Sequence, residues 1–118
     1  MMLDWNQYRQ QLLKAISGLG KRTPGTIRGY RELSQAGTQT ARLDAKTREL
    51  IAIAVGVTRQ CDGCITTHIA AAHQHGATAE EIAEALGVAI AVNAGAALVY
   101  SARAMDAFAA LGGPEQQG

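Results

Sequence analysis

Aromatic side chains are scarce in this chain. One tryptophan, three tyrosines and one phenylalanine make up 4% of its 118 residues, although 47% of the residues are hydrophobic. Alanine occurs 23 times and glycine 13 times, so small residues must build much of the core. Because small residues fill space only where backbones approach closely, we expect additional burial between subunits. The composition is typical of a globular domain and favours an oligomer.

Excess charge of either sign is also lacking. Eleven basic and ten acidic residues leave a net charge of +1, which gives no electrostatic reason to expect nucleic acid or a membrane surface as a partner. The charge is nevertheless unevenly distributed. Residues 1–59 carry 10 basic and 4 acidic groups, and residues 60–118 carry 1 basic and 6 acidic groups. Solvated helix faces account for this pattern, and a basic site for an anionic partner is the alternative.

Long apolar runs are missing as well. The most apolar stretch, residues 85–100, is interrupted by Asn93 and is shorter than the ~20 residues that a membrane span requires. Residues 1–4 lack the basic segment that leads into the apolar part of a secretory signal. We therefore expect a cytoplasmic protein. In a reducing cytosol, two cysteines are more often catalytic or metal-binding than structurally crosslinked.

Helix signals run along the whole sequence and predict an all-α bundle of about six helices. The expected starts are Asp4, Thr23-Pro24, Asp44, Cys61 and Thr78, the last with a capping box to Glu81. Glycines are expected to end the helices before them, at Gly18 and Gly20, at Gly37 and at Gly76.

The apolar run of residues 50–57 is ambiguous, because a buried strand or a buried helix would show the same pattern. We interpret residues 44–57 as a buried helix, since no alternating strand pattern follows it. Asn93-Ala94-Gly95 is expected to break or kink the last helical segment, between Ala79–Val92 and Ala96–Leu111. The sequence thus predicts one helical domain over residues 1–111 and a flexible tail over residues 112–118.

Two cysteines stand three positions apart where a predicted helix begins, at Cys61 and Cys64. In a first helical turn this spacing brings the Cα atoms near the ~5.5 Å that a disulfide prefers, and the helix N-terminus favours a thiolate. His68 follows Cys64 by one turn but lies two turns, ~10 Å, from Cys61. The spacing therefore predicts Cys64 as the base-assisted nucleophile and Cys61 as the thiol that resolves its adduct.

Glu49 lies within a predicted apolar helix, an unusual place for an acid that merely faces solvent. We interpret Glu49 as the carboxylate that orients and recharges His68, directly or through water. As an alternative, these two residues and the two cysteines supply the four ligands that a structural zinc site requires.

Glu49 followed by Cys61-x-x-Cys64-x-x-x-His68 resembles the active-site motif of the alkylhydroperoxidase D / carboxymuconolactone decarboxylase superfamily. The similarity covers roughly residues 20–110 and corresponds to a short, single-repeat member. The resemblance implies an all-helical fold, trimers or hexamers, and thiol-dependent reduction of hydroperoxides. By position, it makes Cys64 the thiol that attacks the peroxide and Cys61 its resolving partner.

In the same way, the resemblance makes His68 and Glu49 the proton relay of an alkylhydroperoxidase-type enzyme. The expected partners are a hydroperoxide substrate, a dithiol or protein disulfide reductant, and further copies of the chain, with no bound cofactor or metal. Two other functions stay open. One is a decarboxylase or lyase acting on a small carboxylate, although that branch resembles the same fold without the cysteine pair. The other is a redox-sensing or zinc-stabilised helical module without catalysis.

Overall fold

The computed structural model describes residues 1–112, and the secondary structure of these residues is entirely helical. The helices are α1 (Trp5–Arg22), α2 (Pro24–Gln35), α3 (Gly37–Thr40), α4 (Ala45–Thr58), α5 (Asp62–Gln74) and α6 (Ala79–Ala109). The all-α prediction is therefore confirmed, with α3 as a single turn. Most of the tail predicted at residues 112–118 lies outside the described residues.

Side-chain caps begin four of the helices at the expected positions, and the cap of α5 is Cys61. The carboxylates of Asp4 and Asp44 each accept a hydrogen bond from the backbone N–H three residues later. Thr78 and Glu81 form a complete capping box at the start of α6, in which each side chain accepts from the other residue's backbone N–H. These starts were predictable because a cap depends only on residues adjacent in the sequence.

The predicted break at Asn93-Ala94-Gly95 is wrong, since α6 is one continuous helix of 31 residues. The Asn93 amide donates to the carbonyl oxygen of Ala89 (2.7 Å) and to the hydroxyl of Thr58 (2.9 Å). The side chain is thus satisfied within the helix and against the end of α4. A single glycine in a helix costs only about 1 kcal/mol relative to alanine, which is too little to interrupt this alanine-rich segment.

One expected helix end differs from the structure, since α1 continues through Gly18 and Gly20 to Arg22. Gly37 directly follows the C-cap residue of α2, as expected, but it begins the single turn α3 and has no positive φ. The left-handed residue after this segment is Ala41, with φ of 49°. Gly76 does adopt a left-handed conformation after α5, with φ of 82°, as predicted.

The core lies among α4, α5 and α6. Helix α4 packs against both α5 and α6, α1 packs on α5, and α2 reaches the rest of the chain mainly through α1. The fully buried apolar side chains, Ile53, Ala72 and Ala89, all belong to α4–α6, whereas α1 and α2 contain no buried residue. The first two helices therefore form an arm that extends from a small three-helix core.

Helix α6 leaves much of its surface exposed. Leu98 and Val99 are about three-quarters exposed, at 75% and 74%, and Phe108 is half exposed. By length and composition alone, α6 could cross a membrane, with a mean hydropathy of 1.9 over its most apolar window. The sequence predicted no apolar segment long enough to span a membrane, because it predicted an interruption at Asn93, whereas α6 is continuous there. Core helices of soluble proteins pass the same test.

Candidate active site

Cys61 and Cys64 form a disulfide at the start of α5, with their Cα atoms 5.2 Å apart. Cys61 is the N-cap residue of α5, and its Sγ accepts a hydrogen bond from the backbone N–H of Cys64 at 3.1 Å. The preceding Gln60 has φ of 53°, and the N–H of Cys61 donates to the carbonyl oxygen of Gly56. The tight turn between α4 and α5 thus places the cysteine pair directly against the end of α4.

Gly56 allows α4 and α5 to approach closely at the cysteine pair. A Cβ atom added to Gly56 would lie 2.9 Å from the Cβ of Cys64, which is closer than real Cβ contacts allow. Gly56 is buried in the middle of the helix contact. A glycine is therefore required here by the space between the helices, not by its backbone conformation.

The cysteine turn is also covered from the side of α1. A Cβ atom added to Gly63, between the two cysteines, would lie 2.9 Å from Cδ2 of Leu12. One turn further along α5, the buried hydroxyl of Thr66 donates to the carbonyl oxygen of Trp5 at 3.3 Å. Leu12 and Thr66 therefore hold α1 against the start of α5.

Glu49 and His68 form a side-chain hydrogen bond between α4 and α5. Oε2 of Glu49 lies 2.7 Å from Nδ1 of His68, and the two side chains are 23% and 29% exposed. With Nδ1 bound to the carboxylate, Nε2 is the ring nitrogen left for proton exchange. Partial burial protects the contact from full solvent screening while leaving the imidazole accessible to a small molecule.

The structure brings together the residues that the sequence singled out. His68 lies one turn after Cys64 on α5, and Glu49 reaches it from the neighbouring helix. The sequence could not show that these two helices meet. His73 and His75 are exposed at the far end of α5. Within residues 1–112, no group of three or more His, Cys, Asp or Glu side chains is placed to hold a metal ion.

The sequence did not identify the residues that pack around the cysteine pair and the start of α5. Gly56 carried a signal, since it is the only glycine in α4. A lone glycine inside a helical pattern often marks a close approach of two backbones. Leu12 and Thr66 carried no such signal, because their contacts join segments more than 50 positions apart.

Hydrogen bonds at the starts of α4 and α6 shift the pKa values of three side chains. Lys46 and Glu81 are joined at 2.7 Å, and this hydrogen bond raises the pKa of Lys46 and lowers the pKa of Glu81. The hydrogen bond from Thr47 lowers the pKa of Asp44. These contacts tie α6 to the N-terminal end of α4, the helix that carries Glu49.

The fold and site define a class of all-helical proteins in which a Cys-x-x-Cys pair at a helix start lies beside a Glu–His pair on two packed helices. The sequence pattern of the carboxymuconolactone decarboxylase family matches residues 24–107, and the chain belongs to this family. The resemblance drawn from the motif is thereby confirmed.

Similar proteins from three bacteria span nearly the same length. An uncharacterized protein of Haemophilus influenzae is 45% identical over 108 residues, which cover 92% of this chain and 96% of that protein. An uncharacterized protein of Cupriavidus necator is 32% identical over 111 residues, which cover 94% of this chain and 98% of that protein. The crystal structure of an apo carboxymuconolactone decarboxylase family protein from Legionella pneumophila matches with a TM-score of 0.71 and 36% identity, covering 88% of this chain and 93% of that one.

Proposed function

We propose that the protein is a thiol-dependent peroxidase of the alkylhydroperoxidase type, which reduces hydroperoxides through a dithiol–disulfide cycle of Cys61 and Cys64. One observation carries this proposal. Cys61 and Cys64 form a disulfide at the start of α5, and Cys64 lies one turn from His68, whose Nδ1 is 2.7 Å from Glu49. A thiol pair beside an oriented imidazole has the nucleophile, the resolving thiol and the proton carrier that peroxide reduction requires.

The first step is attack by the Cys64 thiolate on the terminal oxygen of the hydroperoxide. An S–O bond forms, the O–O bond breaks, and Cys64 becomes a sulfenic acid. The leaving alkoxide takes a proton from His68 and departs as an alcohol. Glu49 stabilises the imidazolium and keeps the ring oriented during this transfer.

In the second step the Cys61 thiolate attacks the sulfenic sulfur of Cys64. The S–S bond forms and hydroxide leaves as water after protonation, so that two thiols and one hydroperoxide yield a disulfide, an alcohol and water. Cys61 suits this role because its sulfur already accepts a hydrogen bond from the Cys64 N–H. An external dithiol or a protein disulfide reductant then restores both thiols by thiol–disulfide exchange.

The test uses the reduced protein and cumene hydroperoxide in stoichiometric amounts. One equivalent of peroxide should remove two free thiols per chain, and mass spectrometry should find a Cys61–Cys64 crosslink within one chain. Under a dithiol reductant the protein should turn over repeatedly. Loss of both thiols to a simple oxidant without any consumption of hydroperoxide would identify a redox-sensing module and overturn the peroxidase proposal.

We further propose that the protein acts in the cytoplasm as a homo-oligomer of three or six chains. The exposed apolar surface of α6 supports this assembly, since exposed apolar patches above a few hundred Å² usually mark an interface. The reducing conditions of the cytoplasm suit a cysteine pair that must reopen in every cycle.

A further inference from the structure

A groove with a volume of about 770 Å³ runs between the N-terminal half of α1, one face of α5 and the start of α6. Its apolar wall is formed by Trp5 from α1, Ile65 and Ile69 from α5, and Ile82 from α6. Pockets for small organic ligands usually have a volume of ~300–1,000 Å³ and are mainly apolar with a few polar groups. The groove therefore has the size and lining of a ligand site.

Arg9 carries the charge of the lining. His73 also lies along the groove, and none of the aspartates and glutamates within residues 1–112 lines it. Within residues 1–112, no carboxylate lies within 4.0 Å of the Arg9 guanidinium. The guanidinium instead donates to the side-chain oxygen of Asn6 at 3.2 Å, which holds it in place. An oriented guanidinium beside an apolar wall is complementary to an anion that carries an apolar chain.

The groove lies beside the redox residues without including them. Ile65 and Ile69 immediately follow Cys64 and His68 on α5, so they project about 100° around the helix from those side chains. Between Ile65 and His73 the groove follows α5 for eight residues, or ~12 Å. This length suits an extended chain better than a compact ring.

We propose that this groove binds a linear amphipathic carboxylate of the fatty-acid type, with its carboxylate on Arg9 and its acyl chain along Trp5, Ile65 and Ile69. Binding of this ligand does not depend on the proposed peroxidase activity. It requires only the folded protein, with the cysteine pair open or closed.

Trp5 gives a direct readout, because it is the only tryptophan in the chain and it lines the groove. Octanoate, decanoate and dodecanoate are titrated below their aggregation concentrations while Trp5 fluorescence is recorded. Each added methylene should tighten binding about threefold to fourfold, as expected for an alkyl chain leaving water. The matched alcohols, which have the same chains without charge, should bind more weakly.

Variants separate the head-group contact from the chain contact. Arg9→Gln should weaken dodecanoate about tenfold or more, as expected for loss of a hydrogen bond to a charged group, and should leave dodecanol unchanged. Arg9→Lys should recover part of the loss. Arg28→Gln, an exposed arginine of α2 outside the groove, should leave both ligands unaffected. Ile69→Ala should weaken the acid and the alcohol alike.

Three outcomes would overturn the proposal: no change in Trp5 fluorescence with any carboxylate, an affinity that does not depend on chain length, or equal losses for Arg9→Gln and Arg28→Gln. Absence of binding together with a Trp5 emission that shifts only on dilution would show that a second copy of the chain fills the groove. Consumption of cumene hydroperoxide, which has no carboxylate, is measured on the same samples. The two measurements thereby distinguish an absence of carboxylate binding from an absence of peroxidase activity.

Discussion

At the scale of single residues, the two cysteines differ in their surroundings. Cys64 lies in the first turn of α5 with His68 one turn ahead, whereas Cys61 is the N-cap and has its sulfur on the N–H of Cys64. His68 is therefore nearer in sequence and along the helix to Cys64 than to Cys61. The proposed mechanism accordingly assigns different roles to the two thiols.

Cys64→Ser should abolish peroxide consumption, because serine cannot replace the attacking thiolate. Cys61→Ser should retain one rapid turnover and then accumulate sulfenic acid or mixed disulfide, since the resolving thiol is missing. Stopped-flow kinetics with one equivalent of hydroperoxide measures the burst directly. A burst that survives in Cys64→Ser and disappears in Cys61→Ser would show that the two roles are reversed.

Glu49→Gln should lower the peroxide-dependent rate by about 10- to 100-fold, the effect typical of removing a residue that orients a functional histidine. Glutamine can keep a hydrogen bond to Nδ1 but cannot stabilise an imidazolium. The thiol count and the ability to form the disulfide should not change, and far-ultraviolet circular dichroism should remain that of the wild type. Glu80→Gln, on an exposed residue of α6, is the matched control. Equal rates for the two variants would exclude Glu49 from the relay.

The sequence anticipated which side chains would meet, but not what holds them there. Cys61, Cys64 and His68 lie within eight positions on one helix, so helical spacing was sufficient to group them. Glu49 belongs to another helix. It was assigned to the site because an acid is unusual within an apolar helix and because the family motif contains it. Its 2.7 Å contact with His68 depends on how α4 and α5 pack, which local spacing does not determine. For the same reason, the contact of Leu12 with the cysteine turn was not predictable.

At the scale of helices, Gly56 sets the distance between α4 and α5. Gly56→Ala places a methyl group 2.9 Å from the Cβ of Cys64, and neither helix backbone can move without disturbing the turn at Cys61. We expect a loss of about 1–3 kcal/mol in the free energy of unfolding, typical of overpacking. The peroxide-dependent rate should fall as well, because Cys64 moves relative to Glu49.

The control is Gly29→Ala on α2, where the added Cβ meets nothing within 4 Å. There alanine should be neutral or stabilising by up to about 1 kcal/mol, because it favours the helix more than glycine does. Urea unfolding followed by circular dichroism compares the two variants. A Gly56→Ala variant as stable as Gly29→Ala would mean that α4 and α5 are not in close contact in solution.

Glu81 connects the start of α6 to α4 and should make stability depend on pH. Its pKa is lowered, first by the hydrogen bond from Lys46 and then by the backbone of Thr78. A carboxyl whose pKa is lower in the folded state stabilises the fold above its unfolded value, near 4.5. That contribution is lost as the pH falls through the folded pKa.

Glu81→Gln should therefore lower the free energy of unfolding at pH 7, and its difference from the wild type should shrink as the pH approaches 3. Denaturant unfolding over a pH series provides the measurement. Glu84→Gln is the matched control, since within residues 1–112 Glu84 has no cationic side chain within 4.0 Å. A constant difference over the whole series would show that the charge of Glu81 does not contribute.

The sequence predicted where helices begin better than it predicted whether a helix continues. The caps at Asp4, Asp44 and Thr78 involve residues three positions apart and were predicted correctly. Within the continuous α6, the Asn93 amide bonds to Ala89 of the same helix and to Thr58 of α4, and no local signal reveals the second contact. An asparagine followed by glycine two positions later therefore looked like a break, although packing against α4 keeps the helix intact.

At the scale of the whole molecule, the chain is too extended to be a compact monomer. Its radius of gyration is 20.0 Å, against roughly 13–14 Å for a compact domain of this length. Its accessible surface is 9553 Å², whereas a compact monomer of this mass would expose roughly 6,100 Å². The arm of α1 and α2 and the far half of α6 both extend from the small core, and much of the apolar surface lies there.

Apolar surface supports contact between these two parts in different copies. Helices α1 and α2 expose Leu13, Ile16 and Leu33, and α6 exposes Leu98 and Val99. A second copy could therefore cover apolar surface on the arm with apolar surface on α6.

The assembly is tested by light scattering at micromolar concentration, where we expect a mass of three or six times the 12.4 kDa of one chain. Leu98→Glu should lower that mass, because burying a carboxylate at an apolar helix contact is unfavourable. Leu98 is 75% exposed in the single chain, so the substitution leaves the chain's own packing intact and the variant should keep its helical circular dichroism. Thr67→Glu adds the same charge at an exposed position of α5, outside the arm and α6, and should leave the mass unchanged. A wild-type mass near 12.4 kDa would contradict the proposed assembly and would mean that the arm and α6 fold onto the core of their own chain in solution.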